Sequence, residues 1–463
     1  MEKQKKIYGS EIFATESIWK LMAKMCVPAV ITILIMVIYN MADIYFIGQT
    51  GDKFKVTALS LCMPITTILS AMGSMVGTGA SSCISIAMGR KDSSKVRKFS
   101  SFSFYFSILV GVLYAAVIYI FMNPILDLIG TSANTRGFAQ SYLIFILLGA
   151  PLVMVNTTMG QVIRSEGAAT EAMIGNMFGT IVNIVLDPIF ILTFDMGVPG
   201  AAIATVIGNG CSTVFYIVFM LKKAKLLSIS PKYFTMRNGV ALGVLSIGLP
   251  SGVSTLLNSV AGIFENNLLV AHGDQYVAAL SVAGRATMII GMLQMGIAMG
   301  VQPIIAYSYG AKNWGRMNET IKKTAWFTVG VGLVLTILCR IFSGQLVAAF
   351  IDDAEIIPLG MYVISIGTLV GPLTGVYQLC ITFLQSSEKA SYAVFVSVLR
   401  QGLVFIPALY ILDTLFGFDG IVWGQPAATI FSLVLAFVMA MHHYRNIRRA
   451  EKTDTASDEV TAV

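Results

Sequence analysis

Twelve long apolar runs, separated by short polar loops, leave this chain little choice of fold. They cover approximately 21–48, 56–88, 99–123, 139–164, 170–194, 198–221, 240–271, 277–310, 322–345, 355–386, 390–412 and 419–442. A helix crossing a bilayer needs about 20 such residues. Only 12% of the 463 residues are charged, about half the share of a soluble domain, and the mean hydropathy is +0.78. These features predict an all-α membrane protein with twelve transmembrane helices. The first run is too long for a signal-peptide core and has no small-residue cleavage site before Asn40, so it is expected to be retained.

The loops set the orientation. Of the 31 Lys and Arg residues, 25 fall at one end of the predicted bundle and only Lys53, Lys55, Arg136 and Arg340 at the other; Arg285 and Arg400 lie within spans. By the positive-inside bias both termini are cytoplasmic, in a multi-pass protein of the cell inner (cytoplasmic) membrane. Topology also explains the net charge of +7, so no nucleic-acid partner is expected; membrane lipids are.

The chain reads as an internal duplication. Pro28 matches Pro250, Gly51-Asp52 matches Gly273-Asp274, and Ser165-Glu166 matches Ser387-Glu388, each 222 residues apart. Gly89-x-Lys91 matches Gly310-x-Lys312, and the loops beginning at Gly197 and Gly417 also correspond. Six spans per half make both halves enter the membrane in the same sense. The repeats are therefore expected to form two six-helix lobes, related by a pseudo-twofold along the membrane normal with a cavity between them. The expected boundaries are 1–221 for the first lobe, 222–238 for a cytoplasmic linker, 239–442 for the second lobe and 443–463 for a cytoplasmic tail.

Two acids interrupt the apolar spans of the first half. Asn183 and Asp187 stand at i and i+4 in the fifth span and share a helix face. Pro188 follows, and its missing N–H frees a carbonyl about one turn earlier. Asp43, with Tyr39 one turn before it, lies on the first span. From the predicted outer ends, Asp43, Asp187 and Thr205 of the sixth span all fall roughly 9–10 Å into the bundle, and Asn156 adds an amide on the fourth. Carboxylates at that depth are costly and mark functional sites by default. The plainer reading is a helix–helix hydrogen bond at a proline kink. Oxygen ligands alone suit Na⁺ or a proton rather than a transition metal, so no metal beyond Na⁺ is expected.

In the second half Glu265 falls opposite Asp43, whereas 402–407, opposite the 183–188 motif, hold no acid. Glu265 either takes a cationic substrate or a second proton, or pairs with Arg285 or Arg400. The six cysteines and three histidines form no ligand cluster, and phosphate-loop, HExxH and GxSxG motifs are absent. The chain is expected not to be an enzyme, to carry no cofactor, and to draw on an ion gradient for any uphill work.

At these residues a resemblance emerges. Met41-Ala-Asp43-Ile-Tyr-Phe-Ile-Gly48, Arg164-Ser-Glu-Gly167, Asn183-x-x-x-Asp187-Pro188 and Gly200-Ala-Ala-Ile-Ala-Thr205 resemble signatures of the multidrug and toxic compound extrusion (MATE) family. Gln302-Pro303, Tyr309-Gly-Ala-Lys312 and Leu399-Arg-Gln401 resemble its bacterial branches. The resemblance implies an antiporter that exports amphipathic, often cationic small molecules in exchange for Na⁺ or H⁺ by alternating access, working as a monomer. Carried over, it makes Asp43, Asn183, Asp187 and Thr205 a cation site, with Tyr39, Asn156 and Glu265 as substrate or network residues and Pro28 as the hinge of the first helix. The tenth span lacks the aspartate that some members pair with the acid at Glu265. A flippase for a lipid-linked precursor is the alternative, and it calls for cavity cations to hold a pyrophosphate. A channel or non-transporting scaffold is a third class, with no coupled counter-ion.

Overall fold

The computed structural model describes residues 10–351 and 353–461. Every regular element among them is helical, and twelve helices are long and apolar enough to cross a bilayer. They are α1 (Ile18–Gly48), α2 (Lys53–Gly89), α3 (Ser93–Ile120), α4 (Ala133–Ser165), α5 (Ala169–Thr193) and α6 (Val198–Lys222) in the first half. In the second half they are α7 (Val240–His272), α8 (Asp274–Gly310), α9 (Trp314–Ile341), α10 (Ile356–Ser386), α11 (Ala390–Phe416) and α12 (Phe418–Thr461). The protein is an all-α, multi-pass membrane protein. Residues 1–9 of the expected first lobe lie outside the described residues; a short helix, Ser10–Thr15, precedes α1.

The spans run where the apolar runs predict, with instructive differences at their ends. α3 and α9 start several residues early, because Asp92 accepts the Lys95 N–H at 3.0 Å and Asn313 accepts the Arg316 N–H at 3.0 Å. A side-chain oxygen at the N-cap starts a helix before the hydrocarbon does. Both helices also stop early and give way to short helices, Met122–Leu128 and Ser343–Ala348. α12 continues as helix through the expected polar tail.

Packing divides the chain into two compact units: residues up to Ser259 with Met295–Lys323, and Val260–Gln294 with Thr324 onward. This partition crosses α7, α8 and α9 and does not coincide with the sequence halves. Within the first unit the reason is glycine. A Cβ on Gly79 would fall 1.9 Å from the Val244 carbonyl oxygen, and one on Gly248 1.8 Å from that of Met75. The repeat-matched Gly89 and Gly310 show the same closeness, at 2.3 Å from Tyr307 O and 2.2 Å from Ile86 O. Helices in lipid gain little from apolar burial against one another, so small residues that admit backbone contact decide which helices join.

The segment between α6 and α7 is held along the first unit rather than hanging free. Ser101 donates to the Ser230 carbonyl at 2.8 Å and Tyr105 to that of Ile229 at 2.9 Å. Glu166, fully buried in the loop after α4, accepts the Lys225 and Leu226 N–H groups at 2.9 and 2.6 Å. Burial pushes its carboxyl above the ordinary carboxylate range, and the N–H donors of residues 225–227 oppose that shift.

Candidate functional site

The site forms inside the first unit from spans that are distant in sequence. α1 delivers Tyr39 and Asp43 one turn apart, on a face that buries Asp43 to 7% exposure. α5 delivers Asn183 and Asp187, at 1% and 0%. It can present both because α-helical geometry persists through Pro188, beyond which the chain takes one wider turn, Ile189–Thr193, closed by the Phe194 N–H on Ile189 O at 2.9 Å. Pro188 has no N–H to offer the preceding turn, which makes this the natural place for the helix to change pitch. α6 enters after Gly197 and brings Thr205 to the same level.

These groups meet. The Tyr39 hydroxyl and Thr205 Oγ1 are 3.1 Å apart, and Asn183 Nδ2 donates to Asp187 Oδ1 at 3.4 Å. Asp43 sits against Asp187, with Asn183 and Tyr39 beside it. The expected convergence of three spans on one pocket is therefore what the chain builds. Asn156 stands one step back: its Nδ2 donates to Asn209 Oδ1 at 2.7 Å, and Asn209 Nδ2 donates to the Thr205 carbonyl at 2.9 Å.

Two members of the network escaped sequence reasoning. Asn209 follows Thr205 by four residues, so it shares that face of α6, and this spacing was the available signal. Tyr142 of α4, 6% exposed, lies beside Tyr39, Asp43 and Asp187. Counted from the expected start of that span at 139 it is only three residues in, so nothing in the sequence signalled its depth.

What the pocket lacks is donors. Asp43 Oδ1, Asn183 Oδ1 and Asp187 Oδ2 are all buried without a hydrogen-bond partner. A buried acceptor left unmet costs about 1–3 kcal/mol, and three at one place make an oxygen-lined cage that a hard cation or a proton would relieve. No cluster of three or more His, Cys, Asp or Glu suited to a tightly held metal occurs among the described residues.

Glu265, on α7 in the second unit, is half-buried and forms no ion pair with the exposed Arg285 or the half-buried Arg400. Arg285 lies over the Phe350 ring at 5.5 Å, and Arg400 over the Tyr377 ring at 4.4 Å. The alternative that Glu265 is merely an ion-pair partner of these arginines is thereby corrected: each guanidinium has an aromatic face instead. Pro28 lies inside continuous α1. α8 presses on the turns either side of it, where Cβ atoms on Gly296 and Gly300 would fall 2.8 Å from Val30 Cα and 2.5 Å from Cys26 Cα.

Fold and site together define a multi-pass helical membrane protein in which two acids from separate spans share one buried pocket. The family model MatE matches residues 28–189 and again residues 250–411, two matches at the 222-residue spacing of the repeat. The multidrug export protein MepA of Staphylococcus saprophyticus is 32% identical over 427 residues, covering 92% of this chain and 94% of that protein. Two solved structures share the fold. One is a MATE protein in a bent conformation, with TM-score 0.90, 21% identity, and coverage of 95% of this chain and 98% of that one. The other is an outward-facing multidrug resistance MATE transporter, with TM-score 0.90, 22% identity, and coverage of 97% and 100%. The chain belongs to the MatE family of multidrug and toxic compound extrusion transporters. Membership places it among transporters and not among enzymes.

Proposed function

We propose that this protein is a secondary active antiporter that exports amphipathic, cationic small molecules in exchange for Na⁺ or H⁺. One observation carries the reading: Asp43 and Asp187, from α1 and α5, sit against each other in a buried pocket with three unmet oxygen acceptors. Two carboxylates that close resist being ionised together, so taking up a cation or proton is linked to the shape of the helices that carry them. α1 is the mobile partner in this scheme, bending at Pro28 as the pair is neutralised and so driving substrate outward by alternating access. The positive-inside bias supports an orientation with both termini in the cytoplasm of a bacterial inner-membrane protein. The kinship with a multidrug export protein supports the substrate class.

A lipid-linked precursor flippase is less well supported. Its pyrophosphate would need several cations facing the cavity, and within the spans only Arg285 and Arg400 are candidates. The test is reconstitution with a fluorescent cationic drug under imposed Na⁺ or pH gradients. Asp187→Asn should insert normally and lose gradient-driven efflux. Wild-type efflux by that variant would remove the acid pair from the mechanism. Comparing a pure Na⁺ gradient with a pure pH gradient identifies the coupling ion.

A further inference from the structure

The proposed cycle leaves one motif unused: Gln302-Pro303 of α8. It lies in a closely packed zone at the end of the bundle that carries the basic loops. There α2 is buried without a break from Val76 to Gly89, and α8 from Gly300 to Ser308. The two helices touch through their backbones. Cβ atoms on Gly89 and Gly310 would fall against the carbonyl oxygens of Tyr307 and Ile86, contacts that exchange with each other at the spacing of the repeat. Gly79 and Gly248 bring the start of α7 onto α2 in the same way. All of these segments belong to the first unit.

One polar side chain crosses this packing. Gln302 is 5% exposed and sits eight residues before Gly310, roughly 12 Å into the bundle. Its Nε2 donates to Ser82 Oγ at 2.8 Å and, more weakly, to the Thr78 carbonyl at 3.4 Å, both on α2. The Thr78 hydroxyl in turn donates to Gln161 Oε1 of α4 at 2.9 Å, so the amide of α8 is joined through α2 to α4. The glycine contact is symmetric between the halves, but the amide is not: at the spacing of Gly89 and Gly310, the α2 position matching Gln302 is Ser81. Small residues already let helices in lipid come close. A buried amide adds a condition. Its hydrogen bonds hold while α2 and α8 touch, and once they part it stays satisfied only if water enters between them.

We infer that Gln302 is the clasp of a gate at the basic, cytoplasmic end, where the inner halves of α2 and α8 part to admit substrate and water together. Ser82 and Thr78 hold the amide while the gate is shut, and hydration holds it when the gate is open. Gln302 therefore sets how often the protein opens to the cytoplasm. This inference rests on the alternating-access reading, one of whose two openings it locates.

The test uses Cys83, the neighbour of Ser82 on α2 and 7% exposed, as its reporter. In the full chain with the other five cysteines replaced by alanine, a membrane-impermeant thiol reagent is applied to the basic side of inside-out vesicles, with no drug and no ion gradient. Ser82→Ala removes the nearer acceptor from the shut gate and should raise the rate of Cys83 labelling about fivefold, the weight of one net hydrogen bond. Gln302→Met keeps the length of the side chain and removes the amide's need for water, so it should lower the rate by a similar factor. In the double variant Ser82→Ala should have no further effect, because the two residues act through one bond. If Ser82→Ala fails to insert, Gln302→Asn takes its place: its amide is one methylene too short to span the helices, and labelling should rise. A glutamine that only packs would shift thermal stability and leave labelling alone. Equal Cys83 labelling in wild type, Gln302→Met and Ser82→Ala, whether fast or nil, overturns the inference, as does a rise in Gln302→Met. Wild-type drug efflux that ignores every imposed gradient is a different result, and it strikes the antiport reading rather than the gate.

Discussion

The two halves of this chain descend from one pattern, yet at the level of the acid pocket they have opposite chemistry. In the first half α1, α5 and α6 bring Asp43, Asp187, Asn183 and Thr205 together, with Tyr39 bonded to Thr205 and Tyr142 alongside. In the second half 402–407 stand opposite 183–188, which sets Ile406 opposite Asp187, packed against the apolar cluster of its neighbour Leu409. Leu409 is fully buried in an apolar cluster with Ala261, Leu269, Phe405 and Ile421. Glu265 rides on α7 between Ala261 and Leu269 but remains half-exposed and unpaired. An acid pair required only for helix packing would be expected on both sides. Its confinement to one half indicates a specialised task there, while the other half fills the same level with hydrocarbon.

This contrast is open to direct attack. The largest difference should come from the matched acids. Asp43→Asn removes a charged ligand worth about 2 kcal/mol, roughly thirtyfold in ion affinity, and should take drug efflux to background. Glu265→Gln should leave efflux within about threefold of wild type, a change under 1 kcal/mol. Equal losses in proteoliposome assays would erase the asymmetry. Where the halves agree, they should respond alike. Gly197 and Gly417 have matching left-handed backbones, at φ 57° with ψ −127° and φ 60° with ψ −136°. Gly197→Ala and Gly417→Ala should each cost about 1–3 kcal/mol of strain, read as comparable falls in Tm in detergent. Tyr142→Phe should weaken ion binding by about 1 kcal/mol, roughly fivefold, with little effect on insertion; ion titration of the purified variant measures it.

The smallest expected effect concerns Glu166. Its folded-state pKa is raised by burial, so its contribution to stability is full below the ordinary carboxylate pKa and is lost as pH rises through the raised value. Thermal stability should therefore decline slightly across that window in wild type. Glu166→Gln, which keeps an acceptor for the Lys225 and Leu226 N–H groups, should flatten the slope.

Much of this was legible in the chain. A long uncharged run is a span wherever it sits, because length and transfer free energy do not depend on partners. For that reason the twelve spans and the duplication emerged without coordinates. Asp43, Asp187 and Thr205 were legible because depth along a helix is simple counting, and each lies a similar number of residues from a loop. Tyr142 and Asn209 were not, since an aromatic or an amide on a helix face looks the same whether it meets lipid, a neighbour or an ion. The early starts of α3 and α9 hung on single capping side chains, which hydropathy does not register.

Taken alone, the sequence determined the spans, the repeat and the residues able to bear charge, since these follow from local composition and spacing. Tertiary structure decided which of those residues share a pocket and which arginines lie on aromatic rings. It also decided where packing divides the chain, through α7, α8 and α9, with the parts of α7 and α8 in the first unit held there by glycines whose missing side chains let backbones touch. The physical reason is that apolar surface gives helices in a membrane no preference among neighbours, so partner choice falls to close fit and to a few polar contacts that exist only once the helices are assembled.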